Sequence, residues 1–271
     1  MTSQDDRDAC EVALVAARAA GAAVLPLWHA GVEAGWKARR DPVTAADRVA
    51  ESVVRALIAE TFPDDVVVGE EGPTVEESGI EGQRRWYVDP VDGTTNFLKR
   101  RPRWAVSVGF CDARDRLAAG VVHAPVTAET YAAVRGGGIV AGAGEEPAHP
   151  ADALADVLLA VGALRGGHPG DVAAMQALDA AVLSVRMTGC TALDLCDVAA
   201  GRADAFWTSS CSRWDLAAGA LIAAEAGALV TGMDGLALVG PAEQVLAAGP
   251  DVHDALLALI ARAQSGAAAG V

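Results

Sequence analysis

Asp89 and Asp92 stand three residues apart in the stretch WYVDPVDGTTNF at positions 86–97. Two carboxylates on one turn attract a hard cation, and the free amides and hydroxyls of a helix start offer donors to phosphate. Thr94, Thr95 and Asn96 favour such a start. Gly93 can take a backbone conformation closed to other residues. A DxxDG turn by itself is commonly structural, so the weight comes from two further places. Val66, Val67 and Val68 run into Gly69, Glu70, Glu71 and Gly72, and Arg213, Trp214, Asp215 and Leu216 open an apolar helical run. Three apolar elements that each end on carboxylates predict one shared cation site.

The elements that must position these groups follow from periodicity and punctuation. A strand over Trp86–Val88 is expected to leave its sheet at Pro90, which has no amide to donate. Helical spacing predicts an amphipathic helix from residue 6 to about 28 and a second to about Thr61, which opens on a capping-box-like Thr44-Ala45-Ala46-Asp47. Trp36–Arg40 reads as a short edge strand. Strands are also expected at Val66–Val68, Ala105–Phe110, Gly120–His123, Tyr131–Val134, Val157–Val161, Ala205–Trp207, Leu229–Thr231 and Val245–Ala248. Helices are expected at Asp171–Leu183, from Thr191 to near Gly201, at Trp214–Ala226 and at Asp251–Ala263. Thr74–Gln83 reads as a surface loop, Gly136–Gly138 as a tight strand connection, and Ala141–Pro150 as a boundary between lobes of about 1–145 and 146–271 within one catalytic unit. The basic run Lys99, Arg100, Arg101 and Arg103 could help draw in a phosphate or meet a partner subunit, but reads first as a solvated face.

Taken together, GEEG at 69–72, DPVDGTTNF at 89–97 and WDLAAG at 214–219 resemble the motifs of the inositol monophosphatase family of magnesium-dependent sugar phosphatases. DPVTAAD at 41–47, AVRGGG at 133–138 and GCTALDLCDVAAGRADAFW at 189–207 extend the resemblance over nearly the whole chain. It implies an α+β fold, a layered αβαβα sandwich, and hydrolysis of a phosphate monoester by metal-activated water with two or three Mg²⁺. It also implies that Glu70, Asp89 and the Val91 carbonyl hold one ion, that Asp89, Asp92 and Asp215 hold a second, and that a weaker third shares Glu70. Thr94 would pair with Glu70 to orient the attacking water. Gly93 and Thr94 amides would receive the phosphate, with Thr95, Gly189, Cys190, Thr191 and Thr208 as further substrate contacts. Asp47 is either a supporting acid behind the metal ligands or a helix-start acid, and Glu71 either supports the site or caps its turn. Thr208 stands where the family places a glutamate that contacts inositol hydroxyls, which implies an enzyme that is not a strict inositol-1-phosphate specialist. Ser209, Ser210 and Ser212 could meet another polyol, and Arg213 either a second anionic group or solvent.

Composition bounds the partners. The net charge is −15 and the sequence pI about 4.6, which argues against nucleic acid or an anionic membrane and also repels the small phosphate ester that the resemblance implies. Bound divalent cations would have to reverse the local field to admit it. Hydrophobic residues make up 52% but aromatic residues only 4%, so the core must be built from Ala, Val and Leu. The five cysteines are scattered, without CxxC, and read as buried small hydrophobes. The five histidines show no ligand spacing. The polar, acidic start is unlike a signal peptide, and no apolar run is expected to reach the ~20 residues of a membrane span. A cytoplasmic homodimer is expected. The competing substrates are fructose 1,6-bisphosphate, histidinol phosphate, 3′-phosphoadenosine 5′-phosphate and NADP, and the competing role from another class is a regulatory, protein-binding member of the family.

Overall fold

The first helix shows how an alanine-rich chain builds its core. Ser3 caps α1 (Gln4–Ala30): its hydroxyl accepts from the Asp6 N–H at 3.0 Å, and its own N–H donates to the Asp6 carboxylate at 3.2 Å. Ala9, Ala13, Ala16, Ala17 and Ala20 form its buried face. Contrary to expectation, α1 is long and apolar enough by length and composition to cross a bilayer. Between Glu11 and His29 the one charged residue is Arg18. Its alanine face is nonetheless part of the protein core.

The computed structural model describes residues 3–38, 41–72, 82–142, 151–162, 170–238 and 244–268. After α1, strands β1 (Gly35–Ala38) and β2 (Asp41–Val43) form a small antiparallel ribbon, and β2 was not anticipated from the sequence. Thr44 then caps α2 (Ala45–Thr61) in a capping box with Asp47. Strands β3 (Val66–Gly69) and β4 (Arg85–Asp92), the short helix α3 (Thr94–Leu98), and strands β5 (Ala105–Cys111), β6 (Leu117–Ala124), β7 (Glu129–Val134) and β8 (Gly138–Ala141) follow. These six strands make one sheet in that sequential order, parallel between β3 and β4 and antiparallel elsewhere. Gly136 and Gly137 turn the chain from β7 into β8, a tight strand connection as the sequence suggests.

The second half supplies β9 (Leu158–Val161), α4 (Asp171–Ala181), β10 (Ser184–Arg186), α5 (Thr191–Ala199), β11 (Ala205–Thr208), α6 (Arg213–Glu225), β12 (Leu229–Thr231), β13 (Val245–Ala248) and α7 (Pro250–Ala268). Its five strands form a mixed sheet of order β10-β9-β11-β13-β12. Side chains alternate across it. Trp207, Leu246 and Ala248 face α4 and α7, while Phe206, Val245 and Ala247 face α5 and α6. Helices α1 and α2 cover one face of the first sheet, and α5 and α6 fill the space between its other face and the second sheet. The result is the α-β-α-β-α layering that the resemblance implies. The expected lobe boundary near 145 and most of the 74–83 loop lie outside the described residues.

Two local features fix where α6 lies. A Cβ on Gly120 would come within 2.8 Å of the Ala218 carbonyl oxygen, so only glycine lets the helix backbone sit this close to β6. Arg213, expected to be a surface residue or an anion contact, is instead held in the protein. Its guanidinium donates to both Asp115 carboxylate oxygens at 2.9 Å and also meets the Tyr87 hydroxyl of β4.

Candidate active site

Strand β4 is buried along its whole length between β3 and β5, which explains its near-continuous apolar start. It does not end at Pro90 as expected but runs on to Asp92 through a bulge. Asp89 pairs with Ser107 and Asp92 with Ala105, so three steps on β4 oppose two on β5. Proline, with no N–H for the ladder, suits this position. Val91 N–H turns inward to donate to Asp89 Oδ1 at 3.0 Å, and the Thr94 hydroxyl donates to the Val91 carbonyl at 3.2 Å. Gly93, at φ +91°, then caps α3 in the left-handed region. The bulge thus aims two carboxylates, a carbonyl and a hydroxyl into one corner.

The other acids arrive from neighbouring elements. Glu70 follows β3, and its N–H donates to the Val88 carbonyl at 3.2 Å. Asp215 lies in the first turn of α6 and accepts from Ser212 N–H at 3.0 Å. Asp92 Oδ2 accepts from Ala192 N–H at 2.6 Å, with Cys190 Sγ at 3.3 Å, so the start of α5 closes the opposite side. Asp89 and Asp215 lie close enough for the Asp215 charge to act on Asp89.

Crowding raises the affinity of these acids for protons. Burial, and then the charges of Glu70, Asp92 and Asp215, hold Asp89 well above the usual carboxylate range. Burial and the Asp215 charge push Asp92 up to about 7, against the opposing pull of the Ala192 N–H and the Cys190 thiol. Asp215 rises to about 6 through burial, opposed by the Ser212 N–H and reinforced by the Glu70 charge. Asp47 is also raised, chiefly by burial, although the Thr44 N–H and hydroxyl donate to its Oδ2 at 2.7 and 2.6 Å. Its buried Oδ1 has no hydrogen-bond partner among the described residues. Asp47 is thus a helix-capping acid and also close enough to feel the Glu70 charge.

The acids and their neighbours line a cavity of about 930 Å³. Of the residues singled out from the sequence, Glu70, Asp89, Val91, Asp92, Gly93, Thr94, Thr95, Gly189, Cys190, Thr191 and Asp215 border it. Glu71 does not: its N–H donates to Glu51 Oε2 at 2.8 Å, and its carboxylate meets Lys37. Nor does Thr208, which is 1% exposed and donates its hydroxyl to the Ser210 carbonyl at 3.1 Å, behind Gly162 of the cavity wall. The substrate contact expected of Thr208 is not made by this side chain as it stands. Ser212 borders the cavity, and Ser209 is buried.

Two lining residues were missed, Lys37 and Asn96, and a third, Arg101, belongs to the basic run. Lys37, on β1, ion-pairs with Glu70 at 2.8 Å and also contacts Glu71. Burial lowers its proton affinity, but the two glutamates outweigh that and raise it. Its signal was its rarity, since Lys37 and Lys99 are the only lysines. Asn96, read only as a helix-start residue, donates its amide to the Arg103 and Thr188 carbonyls at 2.7 and 2.9 Å and so ties α3 to the loop before α5. Arg101 also lines the cavity, whereas Arg103 pairs with Asp194 at 2.7 Å and Asp197 at 2.6 Å and Arg100 donates to the Ala30 carbonyl at 2.8 Å. The basic run is therefore not one solvated face.

The model of the inositol monophosphatase family matches residues 5–266. The chain belongs to that family. Among curated relatives, the inositol-1-monophosphatase of Mesorhizobium japonicum is 39% identical over 198 residues, 72% of this chain and 73% of its own. The Nus factor SuhB of Pseudomonas aeruginosa is 36% identical over 231 residues, 83% of this chain and 85% of its own. Among solved structures, the IMPase of Thermotoga maritima superposes with a TM-score of 0.85 at 26% identity, covering 96% of this chain and 99% of that one. As an inositol monophosphatase family member the protein is a phosphoric monoester hydrolase, and the family is metal-dependent.

The donor set fits a hard divalent cation. Four buried or half-buried carboxylates and a backbone carbonyl are all oxygen ligands. Burial and mutual repulsion raise the proton affinity of Asp89, Asp92 and Asp215, and a cation would replace the protons they hold. As they stand, no three of these acids converge into a finished ligand cluster among the described residues. Glu70 turns toward Lys37 and Asp92 toward Ala192, so binding would draw at least these two away from their present partners.

Proposed function

We propose that the protein hydrolyses a small phosphate monoester, inositol 1-phosphate or a related cyclitol or sugar phosphate, with Mg²⁺ as its ion. The observation that carries this reading is the convergence of Glu70, Asp89, Asp92 and Asp215 from three separate elements on one cavity, where burial and the other three charges hold Asp89 well above the usual carboxylate range. Glu70, Asp89, the Val91 carbonyl, Asp92 and Asp215 would hold two or three ions. When bound, Mg²⁺ supplies Lewis-acid charge that acidifies an attacking water and stabilises the phosphoryl and leaving oxygens.

The chain's own groups do the rest. Thr94 spends its proton on the Val91 carbonyl, so its oxygen is left to accept from the water, and Glu70 takes the water's other proton. Asp92 stands beside the leaving side, fixed there by Ala192 N–H. Gly93 and Thr94, as cap and first residue of α3, have amides with no intrahelical carbonyl to meet and are free to donate to the phosphate. Lys37 moderates the repulsion between Glu70 and Glu71, and Asp47 supports the acids from behind. Gly189, Cys190, Thr191 and Thr95 border the organic part of the substrate.

We read the protein as a single catalytic unit and a cytoplasmic homodimer. A phosphate-release screen with Mg²⁺ over inositol 1-phosphate, fructose 1,6-bisphosphate, histidinol phosphate, 3′-phosphoadenosine 5′-phosphate and NADP tests the reading. No turnover of any of them by folded protein would overturn it. The relatives named Nus factor SuhB favour a second, regulatory reading through a protein partner. That role requires an inactive variant to retain the cellular phenotype.

A further inference from the structure

We propose that Arg101 recognises a second anionic group on the substrate, an inference that rests on the phosphatase reading above and narrows its substrate class. The preferred ester then carries another phosphate, or a carboxylate, remote from the phosphate that is cleaved.

The charge inventory of the cavity wall points to this. Four of its charged residues are the acids Glu70, Asp89, Asp92 and Asp215, and Lys37 is paired with Glu70. Arg101 is the remaining charged residue of the lining, and it has no carboxylate partner among the described residues. Its position is anchored, since its N–H donates to the Asn96 carbonyl at 2.9 Å, and the Asn96 side chain holds the Thr188 carbonyl across the cavity rim. Arginines without a carboxylate partner occur elsewhere, Arg48 and Arg262 among them, but those lie outside the cavity. In a chain of net charge −15, a doubly anionic ligand is repelled at long range. Arg101 is exposed where it borders the cavity, and a guanidinium there, with donors matched to a phosphate or carboxylate, offsets that repulsion at short range.

What the wall lacks agrees. With Thr208 buried behind Gly162, no carboxylate outside the acidic set lines the cavity among the described residues, so none there would favour an ammonium group. A substrate with a cationic arm would meet Arg101 and be disfavoured. The cavity volume of about 930 Å³ leaves room well beyond one phosphate.

The test compares matched pairs with the full chain and Mg²⁺: a hexitol 1,6-bisphosphate against the hexitol 1-phosphate, and 3-phosphoglycerate against glycerol 1-phosphate. The first pair probes a second phosphate and the second a carboxylate. Wild type should prefer the doubly anionic member of at least one pair in kcat/KM by about ten- to a hundredfold. Arg101→Gln should erase that preference mainly through KM, leave the singly anionic member unchanged, and be partly rescued in Arg101→Lys. Equal loss on both members would mean that Arg101 touches the cleaved phosphate, and no loss would mean a solvated side chain; either overturns the proposal. If wild type cleaves none of the four and none of the esters in the phosphate-release screen, the phosphatase reading fails. Titration calorimetry with the bisphosphate and the monophosphate then decides for Arg101, since equal affinities overturn it and a bisphosphate preference lost in Arg101→Gln upholds it.

Discussion

Replacing Asp92 by asparagine should make the metal-free protein more stable and the enzyme nearly inactive. The Ala192 N–H at 2.6 Å stabilises the charged form, yet burial and the Asp215 charge outweigh it and raise the carboxyl from its ordinary 3.8 to about 7. The native state thus binds this proton more tightly than the unfolded chain does. Ionisation opposes folding progressively as pH rises from 3.8 to about 7; below that window the effect vanishes and above it the effect is constant. At roughly 1.4 kcal/mol per pH unit, the penalty at pH 8 is a few kcal/mol. Asparagine keeps the shape, can still accept from Ala192 and drops the charge. Allowing for an imperfect amide fit, the expected gain is about 1–3 kcal/mol at pH 8 and near zero at pH 4. Urea denaturation in EDTA at pH 4, 6 and 8 measures it. Phosphate release in excess Mg²⁺ measures the other side, a loss of about 10²-fold or more in kcat. A variant no more stable than wild type at pH 8, or a gain that does not grow between pH 4 and 7, would refute the electrostatic reasoning. Near-wild-type turnover in the folded variant would remove Asp92 from the metal set.

Three further outcomes are expected. Thr208→Glu should lower stability by several kcal/mol in thermal or urea melts, because it forces a carboxylate into a fully buried site, and it should not improve kcat/KM for inositol 1-phosphate; a well-folded variant with improved kcat/KM would mean that the side chain reaches the cavity. Asp115→Asn keeps a residue type that tolerates the φ of +59° but leaves the Arg213 guanidinium short of its bidentate partner. It should cost about 1–3 kcal/mol and several-fold in kcat by loosening the turn that carries Asp215, and unchanged kinetics would separate that anchor from the site. High-millimolar LiCl should inhibit phosphate release in competition with Mg²⁺, and full activity there would count against a multi-ion site.

Much of the arrangement was legible because its causes are local. The Thr44 capping box, the valine run before Glu70 and the apolar run after Asp215 each declare an element and its end within a few residues. Strands β2 and β10 were missed because they are three-residue edge elements whose pairing, not their composition, makes them strands. Pro90 was misread because a bulge lets a strand pass a proline, and only the register with β5 reveals it. Lys37, Arg101 and Thr208 depend on where side chains point after the layers close. A substituted motif position such as Thr208 can be read in a sequence, but its retreat behind Gly162 cannot. The same holds for Arg213, whose partners Asp115 and Tyr87 lie about 100 residues or more away.

The site also explains why so much unrelated structure meets at it. Four acids that repel one another would move apart if their elements could shift. Three of them are held by contacts that do not depend on a cation, and Glu70 by its ion pair with Lys37. Asp89 is fixed by the bulge, Asp92 by the start of α5, and Asp215 by a capping box on a helix pressed against Gly120. Asn96 ties α3 to the α5 loop, and Arg213 ties the first turn of α6 to Asp115 beside β4. The repulsion stays local because these ties join the two sheets through the helical layer between them. A fold of five layers can thus hold a concentration of like charge that a single sheet edge would release by fraying, and that concentration gives the cavity its affinity for a divalent ion.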